Sequence, residues 1–568
     1  MARWSLQPED HEETQRLARE IGVSATLASL LLRRGIRTVE AARAYLSPRE
    51  ETLHDADAML GVAEAADLLV STARRGRRVV VFGDYDVDGV TAVAQLRAAL
   101  ARTGADAKAF IPHRLRDGYG LKPDTVRRVL DELSPAAIVT VDCGITAVEG
   151  VACARDAGVD VIVTDHHLVP EELPAGAIVV NPRQPGCAYP YKELAACGIA
   201  LKIAEAIARR AGVSLSVESL LRAACLGTIA DLVPLTGENR GIAARGLAAL
   251  ATSRAPGLRA ILAEAGLEPG TAPTSEDVAF RIGPRLNAAG RIDTAELALS
   301  LFEERDAERA EAIARELSAR NSERQSLERR VVAEARQRIE ADAESSDAAV
   351  VVEADPGWHR GVLGIAASRL AREYHRPVLL FGIDGDRASG SGRSVPGVSL
   401  HGLLTEMAHH FIEFGGHDQA CGATLSASGF EAFAAEARSL FRDRIPADAR
   451  HRVEAVDAEL PLERLDETLR AELAMLEPHG AANPAPVFLA RDVRASYPFL
   501  PAGSQGLRGR LRSEKGDVRC VAWRPDARLA QLASDGAAMD LLYRIPPDRG
   551  DWGLQVEIVD ARGAGGAA

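Results

Sequence analysis

The sequence predicts an α/β protein: a parallel-sheet domain, joined by a long helix to a second, smaller α/β domain, with a β-barrel after it. Three observations predict this. From residue 61 to about 235, apolar strand-like runs alternate with helical patterns, the mark of a parallel sheet. From Ala307 to Glu344 the chain is rich in Glu, Arg and Ala and contains no Gly or Pro, so it reads as one extended helix with a charged outer face. Beyond about 450 the apolar runs are short and alternating and are punctuated by proline.

Taken in order, residues 1–60 read as short helices, with Ala25 to Leu32 and Val39 to Leu46 ending at Ser47-Pro48, and are expected to cap the domain that follows. Residues 61–300 form the parallel-sheet domain. Its strands are Arg77 to Phe82, Ala136 to Val141 and Val159 to Thr164, and residues 236–300 continue as mostly helix around a loop, Gly283 to Arg291. Residues 301–345 are the connecting helix. Residues 346–445 make the second α/β domain, which begins at the strand Ala348-Ala-Val-Val-Val352 and holds Ser391, Arg393 and His417 in glycine-rich loops. Glycine lets a backbone approach a phosphate closely and arginine offers it two parallel hydrogen bonds, although a single such loop is more often a plain turn. Residues 450–562, with Pro-rich punctuation from Glu477 to Pro486 and a final strand Leu554 to Val559, suggest a five-stranded OB barrel, and 563–568 a disordered tail.

At 568 residues the chain is long for one core, so two to four domains are expected, and 47% hydrophobic with 26% charged residues is ordinary for a soluble globular protein. There is no apolar run of about 20 residues and no signal-peptide core after Met1, which points to the cytoplasm and away from a membrane. The seven cysteines (143, 153, 187, 197, 225, 421, 520) lack paired spacing and read as reduced thiols. A net charge of −13 does not exclude a nucleic-acid partner, because binding follows the local field at the groove. Between Arg508 and Arg528 seven basic residues face three acidic ones, around Trp523. An aromatic beside phosphate-binding arginines suits single strands; the competing reading places Trp523 in the core.

The chemistry concentrates where the apolar runs end. The strand to Phe82 leads into Asp84-Tyr-Asp86-Val-Asp88-Gly, the next into Asp142-Cys-Gly, the third into Asp165-His166-His167, and a later apolar run ends at Asp231. Strand ends of an open parallel sheet face one crevice, so these side chains can converge. Any single Asp here also reads as a helix N-cap; repetition at three strand ends argues for a shared centre. Several carboxylates in one crevice raise each other's pKa, and divalent cations relieve that. Oxygen ligands with one or two imidazoles suit Mg²⁺ or Mn²⁺, and two such cations together are a route to phosphoester hydrolysis.

The order Asp-x-Asp-x-Asp-Gly, Val141-Asp-Cys-Gly, Asp165-His-His and Gly227-Thr-Ile-Ala-Asp231 resembles the four motifs of the DHH phosphoesterases. Further stretches resemble one branch, the bacterial single-strand-specific exonucleases of the RecJ type: Arg114-Leu-Arg-Asp-Gly-Tyr-Gly120, Gly283-Pro-Arg-Leu-Asn-Ala-Ala-Gly-Arg291, Gly357 to Gly364, Ser391-Gly-Arg393-Ser and Gly415-Gly-His417. The likeness covers nearly the whole chain. One departure is Phe82, standing where related phosphatases place a ligand histidine.

The resemblance implies a DHH domain, a DHHA1 domain and an OB fold, and a metal-dependent exonuclease that degrades single-stranded DNA from 5′ to 3′, releasing mononucleotides in recombination and repair. It implies two divalent cations, Mn²⁺ or Mg²⁺, held by Asp86, Asp88, Asp142, His166 and Asp231, with Asp142 bridging. Asp84 and His167 join the catalytic set as ligands, as partners of ligands or as contacts to the scissile phosphate, and Asp165 orients a histidine. Arg285, Asn287 and Arg291 would touch substrate phosphates, Arg114, Ser391 and Arg393 would hold the 5′-terminal phosphate, and His417 and Trp523 would also meet the strand. A monomer working with single-strand-binding protein and a RecQ-type helicase is implied. Two alternatives stay open: a DHH phosphatase or oligonucleotidase on small nucleotides, and a non-catalytic DNA-binding replication scaffold.

Overall fold

The protein is described from a computed structural model, which covers residues 3–6, 8, 10–47, 53–114, 116–341, 348–446, 452–503, 506–523, 525, 527–546 and 554–565. Pro48, Leu115, the expected helix end at 342–344, Arg524, Asp526 and the tail residues 566–568 lie outside these. The chain forms two compact units: His54–Val233 with Arg245–Arg452, and Met1–Leu53 with Pro234–Ala244 and Val453–Ala568.

The first unit contains the parallel sheet. Its strands run, edge to edge, Ala107–Phe110, Val79–Gly83, Ala137–Val141, Asp160–Thr164 and Ile178–Val180, and every neighbouring pair is parallel. Val79–Gly83 and Ala137–Val141 are buried at every residue, as continuous Val/Ile runs must be when helices cover both faces. From Val79–Gly83 the chain steps outward one way to Ala107–Phe110 and then returns across it to Ala137–Val141. The strand order therefore reverses between Val79–Gly83 and Ala137–Val141, and the crevice at a reversal is where the strand C-termini open a site.

Two backbone details shape that crevice. Helix Val87–Arg102 starts at Asp86, whose side chain accepts from the Gly89 N–H at 3.1 Å, and a Cβ on Gly89 would stand 2.6 Å from the Asp84 carbonyl oxygen, so the tight turn requires glycine. Asp142, directly after its strand, is left-handed at φ 63°, a conformation that costs a non-glycine residue energy and that clusters at functional sites.

Gly283–Arg291 corrects a sequence expectation: it is the helix Gly283–Ile292, entered through a π-turn at Val278–Ile282. Pro284 in its first turn is compatible with helix, and Gly290 is there because a Cβ would meet the Tyr85 carbonyl oxygen at 2.4 Å. The long helix Ala307–Ala341 packs against it and also against helix Arg360–Tyr374, so one rigid rod joins the two lobes of this unit.

The second lobe is a five-stranded sheet in the order Phe411–His417, Ala420–Ser426, Arg387–Arg393, Val378–Asp384, Val351–Asp355, antiparallel except for the last pair. One face packs on Arg360–Tyr374 and the end of the long helix, the other on Phe430–Arg444. Ser391, Arg393 and His417 thus lie in strands and not in the loops expected. The glycines serve packing: a Cβ on Gly390 would lie 2.5 Å from the Leu380 carbonyl oxygen, and one on Gly392 would lie 2.6 Å from the Leu379 side chain.

In the second unit, the five-stranded expectation gives way to a seven-stranded sheet: Ala458–Glu459, Phe488–Val493, Met539–Arg544, Gln555–Gly563, Val518–Trp523, Gly506–Leu511, Leu500–Ala502. The expectation that residues 1–60 cap the parallel-sheet domain also gives way. Leu17, Leu27, Leu30 and Leu31 of the N-terminal helices share one core with Leu473, Phe488, Leu541 and Tyr543, and strand Arg3–Leu6 pairs with Val453–Val456. Amphipathicity showed that these helices bury a face; it carried no information about which distant segment covers it.

Candidate metal centre

The three acidic strand ends meet as the strand order requires. His166 Nε2 lies 3.2 Å from Asp142 Oδ1, 3.6 Å from Asp231 Oδ2 and 4.0 Å from Asp88 Oδ2. Potential ligand atoms fall into groups within 4.8 Å of one another: Asp88, His166 and Asp231; Asp142, His166 and His167; Asp84, Asp86 and Asp142. Asp142 is the carboxylate that occurs in two of these groups, once with His166 and His167 and once with Asp84 and Asp86.

Surrounding elements hold each candidate ligand in place. Both Asp88 oxygens accept backbone N–H groups at 2.8 Å, from Ala196 and Cys197, the first turn of helix Ala196–Ala211, where the helix dipole favours a negative charge. Gly227 makes room beneath, since a Cβ there would stand 2.8 Å from Asp88 Oδ1. Asp231 caps the end of helix Val217–Ala230. Asp165, fully buried, accepts from the N–H groups of Ile145, His166 and His167 and meets His167 Nδ1 at 2.6 Å. That pairing fixes the His167 ring and leaves Nε2 as its remaining nitrogen, the usual way a carboxylate orients a histidine.

The electrostatics call for cations. Burial first, then neighbouring carboxylates, push Asp84 and Asp142 well above the usual carboxylate range, Asp88 to about 6 and Asp231 to about 9. Burial, with the adjacent His167, pushes His166 down to about 3, so its imidazole is neutral and able to ligate. Burial would raise Asp165 as well, but the hydrogen bonds from His167 and the backbone more than offset it and hold its carboxyl low. Two full charges within 4.8 Å repel by about 3 kcal/mol at an effective dielectric of about 20. Asp84 Oδ1, Asp142 Oδ1 and His166 Nε2 are buried and have no hydrogen-bond partner among the described residues. Orphaned acceptors of this kind, oxygen-rich with one or two imidazoles, fit Mn²⁺ or Mg²⁺.

Next to this centre a cleft of about 730 Å³ is lined from both lobes, by Tyr85, Arg114 and Tyr119 on one side and Arg360, Ser389 and Ser391 on the other. Arg114 lies over the Tyr85 ring at 4.8 Å. Buried Arg291 is pushed down to about 10 by its burial and by the nearby guanidinium groups of Arg114, Arg324 and Arg393, and Arg393 is lowered by burial and Arg114. Four guanidinium groups gathered in this way form a receptacle for an anion.

Three family models match the chain: the DHH family N-terminal domain over residues 78–228, the DHHA1 domain over 347–443 and the RecJ OB domain over 456–560. The single-stranded-DNA-specific exonuclease RecJ of Thermus thermophilus is 36% identical over 92% of this chain and 74% of its own length. The chain belongs to the RecJ family. The RecJ of Bacillus subtilis is 35% identical, and the chain spans 92% of itself and 66% of that relative. The crystal structure of Thermus thermophilus RecJ in complex with Mn²⁺ superposes with a TM-score of 0.84 at 32% identity, over 99% of this chain and 79% of that one, and its Mg²⁺ complex with 0.78 at 30% identity over 99% and 78%.

The DHH, DHHA1 and OB parts follow one another along the chain. The structure brings Asp84, Asp86, Asp88, Asp142, His166, His167 and Asp231 together, and Arg114, Arg291, Ser391 and Arg393 gather beside them. Asn287 Oδ1 accepts from the Val87 N–H at 3.1 Å, so it braces the acidic loop and keeps its amide N–H groups for another partner. Arg285 departs from expectation. It sits two residues from Asn287 and hence on another face of the helix, where it donates to Ser318 Oγ at 3.1 Å and to the Arg281 carbonyl. His417 is an exposed strand end and is not among the cleft-lining residues. Trp523 is 60% exposed, which rules out the core reading.

Sequence reasoning missed two residues. Tyr119 donates to the Asp142 carbonyl at 3.0 Å and stands 3.4 Å from His167 Nδ1; its place in the Arg114–Gly120 motif was the available signal. Arg324 is 7% exposed within a helix whose charges read as a solvated face, and no sequence signal marked it.

Proposed function

We propose that this chain is a metal-dependent nuclease that degrades single-stranded DNA from the 5′ end. The observation carrying this reading is the doubled ligand cluster sharing Asp142, set beside an arginine receptacle in one cleft. The residues fit two divalent cations, Mn²⁺ or Mg²⁺, with Asp88, His166 and Asp231 on one side, Asp84 and Asp86 on the other and Asp142 between. When bound, such a pair supplies Lewis-acid stabilisation of the phosphoryl oxygens and lowers the pKa of the attacking water.

The chain's own groups do the rest. Asp88, clamped by two backbone N–H groups of one helix N-terminus, and Asp142, held by a strained backbone, keep the ligand oxygens in place without reorganisation. His167, oriented by Asp165, directs Nε2 toward the scissile phosphate. Arg114, Arg393 and Ser391 take the 5′-terminal phosphate, which sets polarity and makes cleavage start at an end, with mononucleotides as products. Arg291, electrostatically coupled to Asp86, spans receptacle and metal centre and stabilises the charge that builds on the phosphoryl group.

In the second unit Arg508, Arg510, Arg519 and Trp523 lie on one face of adjacent strands, with Arg510 directly opposite Arg519. Arginines on the same face as an exposed tryptophan suit a single strand, phosphates on the guanidinium groups and a base stacked on Trp523, and this supports a path for the DNA across that face. This reading takes the protein as a cytoplasmic monomer acting in recombination and repair with single-strand-binding protein and a RecQ-type helicase. The described residues contain no helix long and apolar enough to cross a membrane. The test is digestion of 5′-labelled and 3′-labelled single-stranded and duplex DNA with Mn²⁺, Mg²⁺ or chelator. Metal-dependent release of the 5′ label first, from single strands only, is expected; release from the 3′ end would overturn the assignment.

A further inference from the structure

Apart from the acidic crevice, the described residues place one other set of three metal-competent side chains within 4.8 Å of one another: His409, His410 and Glu436 in the second lobe. The two histidines close the turn Ala408–His410, between helix Leu400–Glu406 and strand Phe411–His417, and Glu436 projects from helix Phe430–Arg444. Neighbouring residues of a 3₁₀ turn point about a third of a turn apart. Here both rings nevertheless face one way, with centroids 4.3 Å apart and planes inclined by 36°, and both Nε2 atoms converge on the same carboxylate oxygen, at 3.4 Å from His409 and 2.8 Å from His410.

We propose that His409, His410 and Glu436 form a second metal site, distinct from the catalytic centre and selective for Zn²⁺ or a similar borderline transition metal. Two imidazoles and a carboxylate with an open fourth position is a recurrent zinc set, whereas the catalytic crevice, richer in oxygen, suits harder ions. Metal–ligand bonds of about 2.0–2.2 Å in a tetrahedron put ligand atoms about 3.3–3.5 Å apart, so the His409 spacing already fits and the His410 spacing needs to open by about half an ångström. Glu436 can supply that movement, because its side chain is 44% exposed. Ring-edge contact with Phe433, centroids 5.7 Å apart, fixes His410, while the exposed His409 leaves the site open to an entering ion and to water as the remaining ligand.

A bound ion would tie the turn to helix Phe430–Arg444 and so anchor the start of edge strand Phe411–His417, whose Glu413, Phe414 and Gly415 line the substrate cleft. The ordinary alternative is an ion pair between the histidines and Glu436, and the two are separable.

The full chain is dialysed to equilibrium against Zn²⁺ in excess Mg²⁺, and bound zinc is counted for the unaltered protein, His409→Ala and Glu436→Ala, and again with all three carrying Asp142→Asn. Both substituted side chains are well exposed, so the far-UV spectrum and Mn²⁺-dependent cleavage by the proteins with Asp142 intact should not change. The expected result is one zinc fewer per chain in each variant, in both backgrounds. Equal zinc content in all three proteins would overturn the proposal and leave an ion pair only.

Discussion

In the presence of chelator, Asp231→Asn should make the protein more stable, by an amount that grows with pH. The Asp231 carboxyl goes from 3.8 when unfolded to about 9 in the fold, through burial and then the charges of Asp88, Asp86 and Asp84. A carboxyl raised in this way contributes stability below about pH 4 that is lost as pH climbs toward 9. Keeping it protonated costs roughly 1 kcal/mol for each pH unit above 3.8, hence on the order of 1 kcal/mol at pH 5 and a few kcal/mol at pH 7. Asparagine keeps the shape and removes that cost. Water reaching the crevice reduces the gain, so a rise in Tm on the order of 5 °C at pH 7 and about a third of that at pH 5 is expected. The assay is thermal unfolding in EDTA from pH 5 to 8, repeated with saturating Mn²⁺. With metal the order should reverse, because only the unaltered protein gains the full binding free energy. Equal or lower stability of the variant in EDTA at pH 8 would refute the claim that the crevice stores carboxylate repulsion for cations to relieve.

Asp142→Ala should abolish cleavage while circular dichroism and single-strand binding stay close to normal, since both subsites lose a ligand; substantial Mn²⁺-dependent activity would sink the shared-ligand assignment. Arg393→Ala should weaken attack on 5′-phosphorylated ends by about 1.5–3 kcal/mol, the range of a charge-assisted hydrogen bond, and leave 5′-hydroxyl ends nearly unaffected. An unchanged preference between the two ends removes Arg393 from the receptacle. Trp523→Ala with Arg510→Ala should raise KM for long single strands and flatten the salt dependence of binding without changing kcat on short oligonucleotides. Point substitution is the sound test here: deleting the C-terminal strands would uncover the core they share with Leu17, Leu27 and Leu30. Gly290→Ala should cut kcat, because its Cβ would press on the Tyr85 carbonyl at 2.4 Å and displace the acidic loop; wild-type activity in that variant would show the loop to be tolerant.

Local pattern in the chain specified which acidic residues and histidines gather in the crevice and the type of sheet that gathers them. Alternating apolar runs specify parallel strands, strand C-termini share an edge, and a side chain one or two residues beyond a strand has little freedom about where it goes, so Asp84, Asp142 and His166 were legible from local pattern. What the tertiary structure decided is everything set by which surfaces meet. Arg285 and Arg291 look equivalent in the sequence, yet helical geometry sends one to Ser318 on the long helix and the other into the receptacle. Arg324 looks like any charge on a solvated helix, yet in the fold it is buried beside Asn287, Arg291 and Ile365. The N-terminal helices advertise an apolar stripe, but its partner lies more than 400 residues away, and amphipathicity is blind to sequence separation. Local periodicity reports that a face must be buried; only the folded chain, by excluding water from particular pairs of faces, selects the partner.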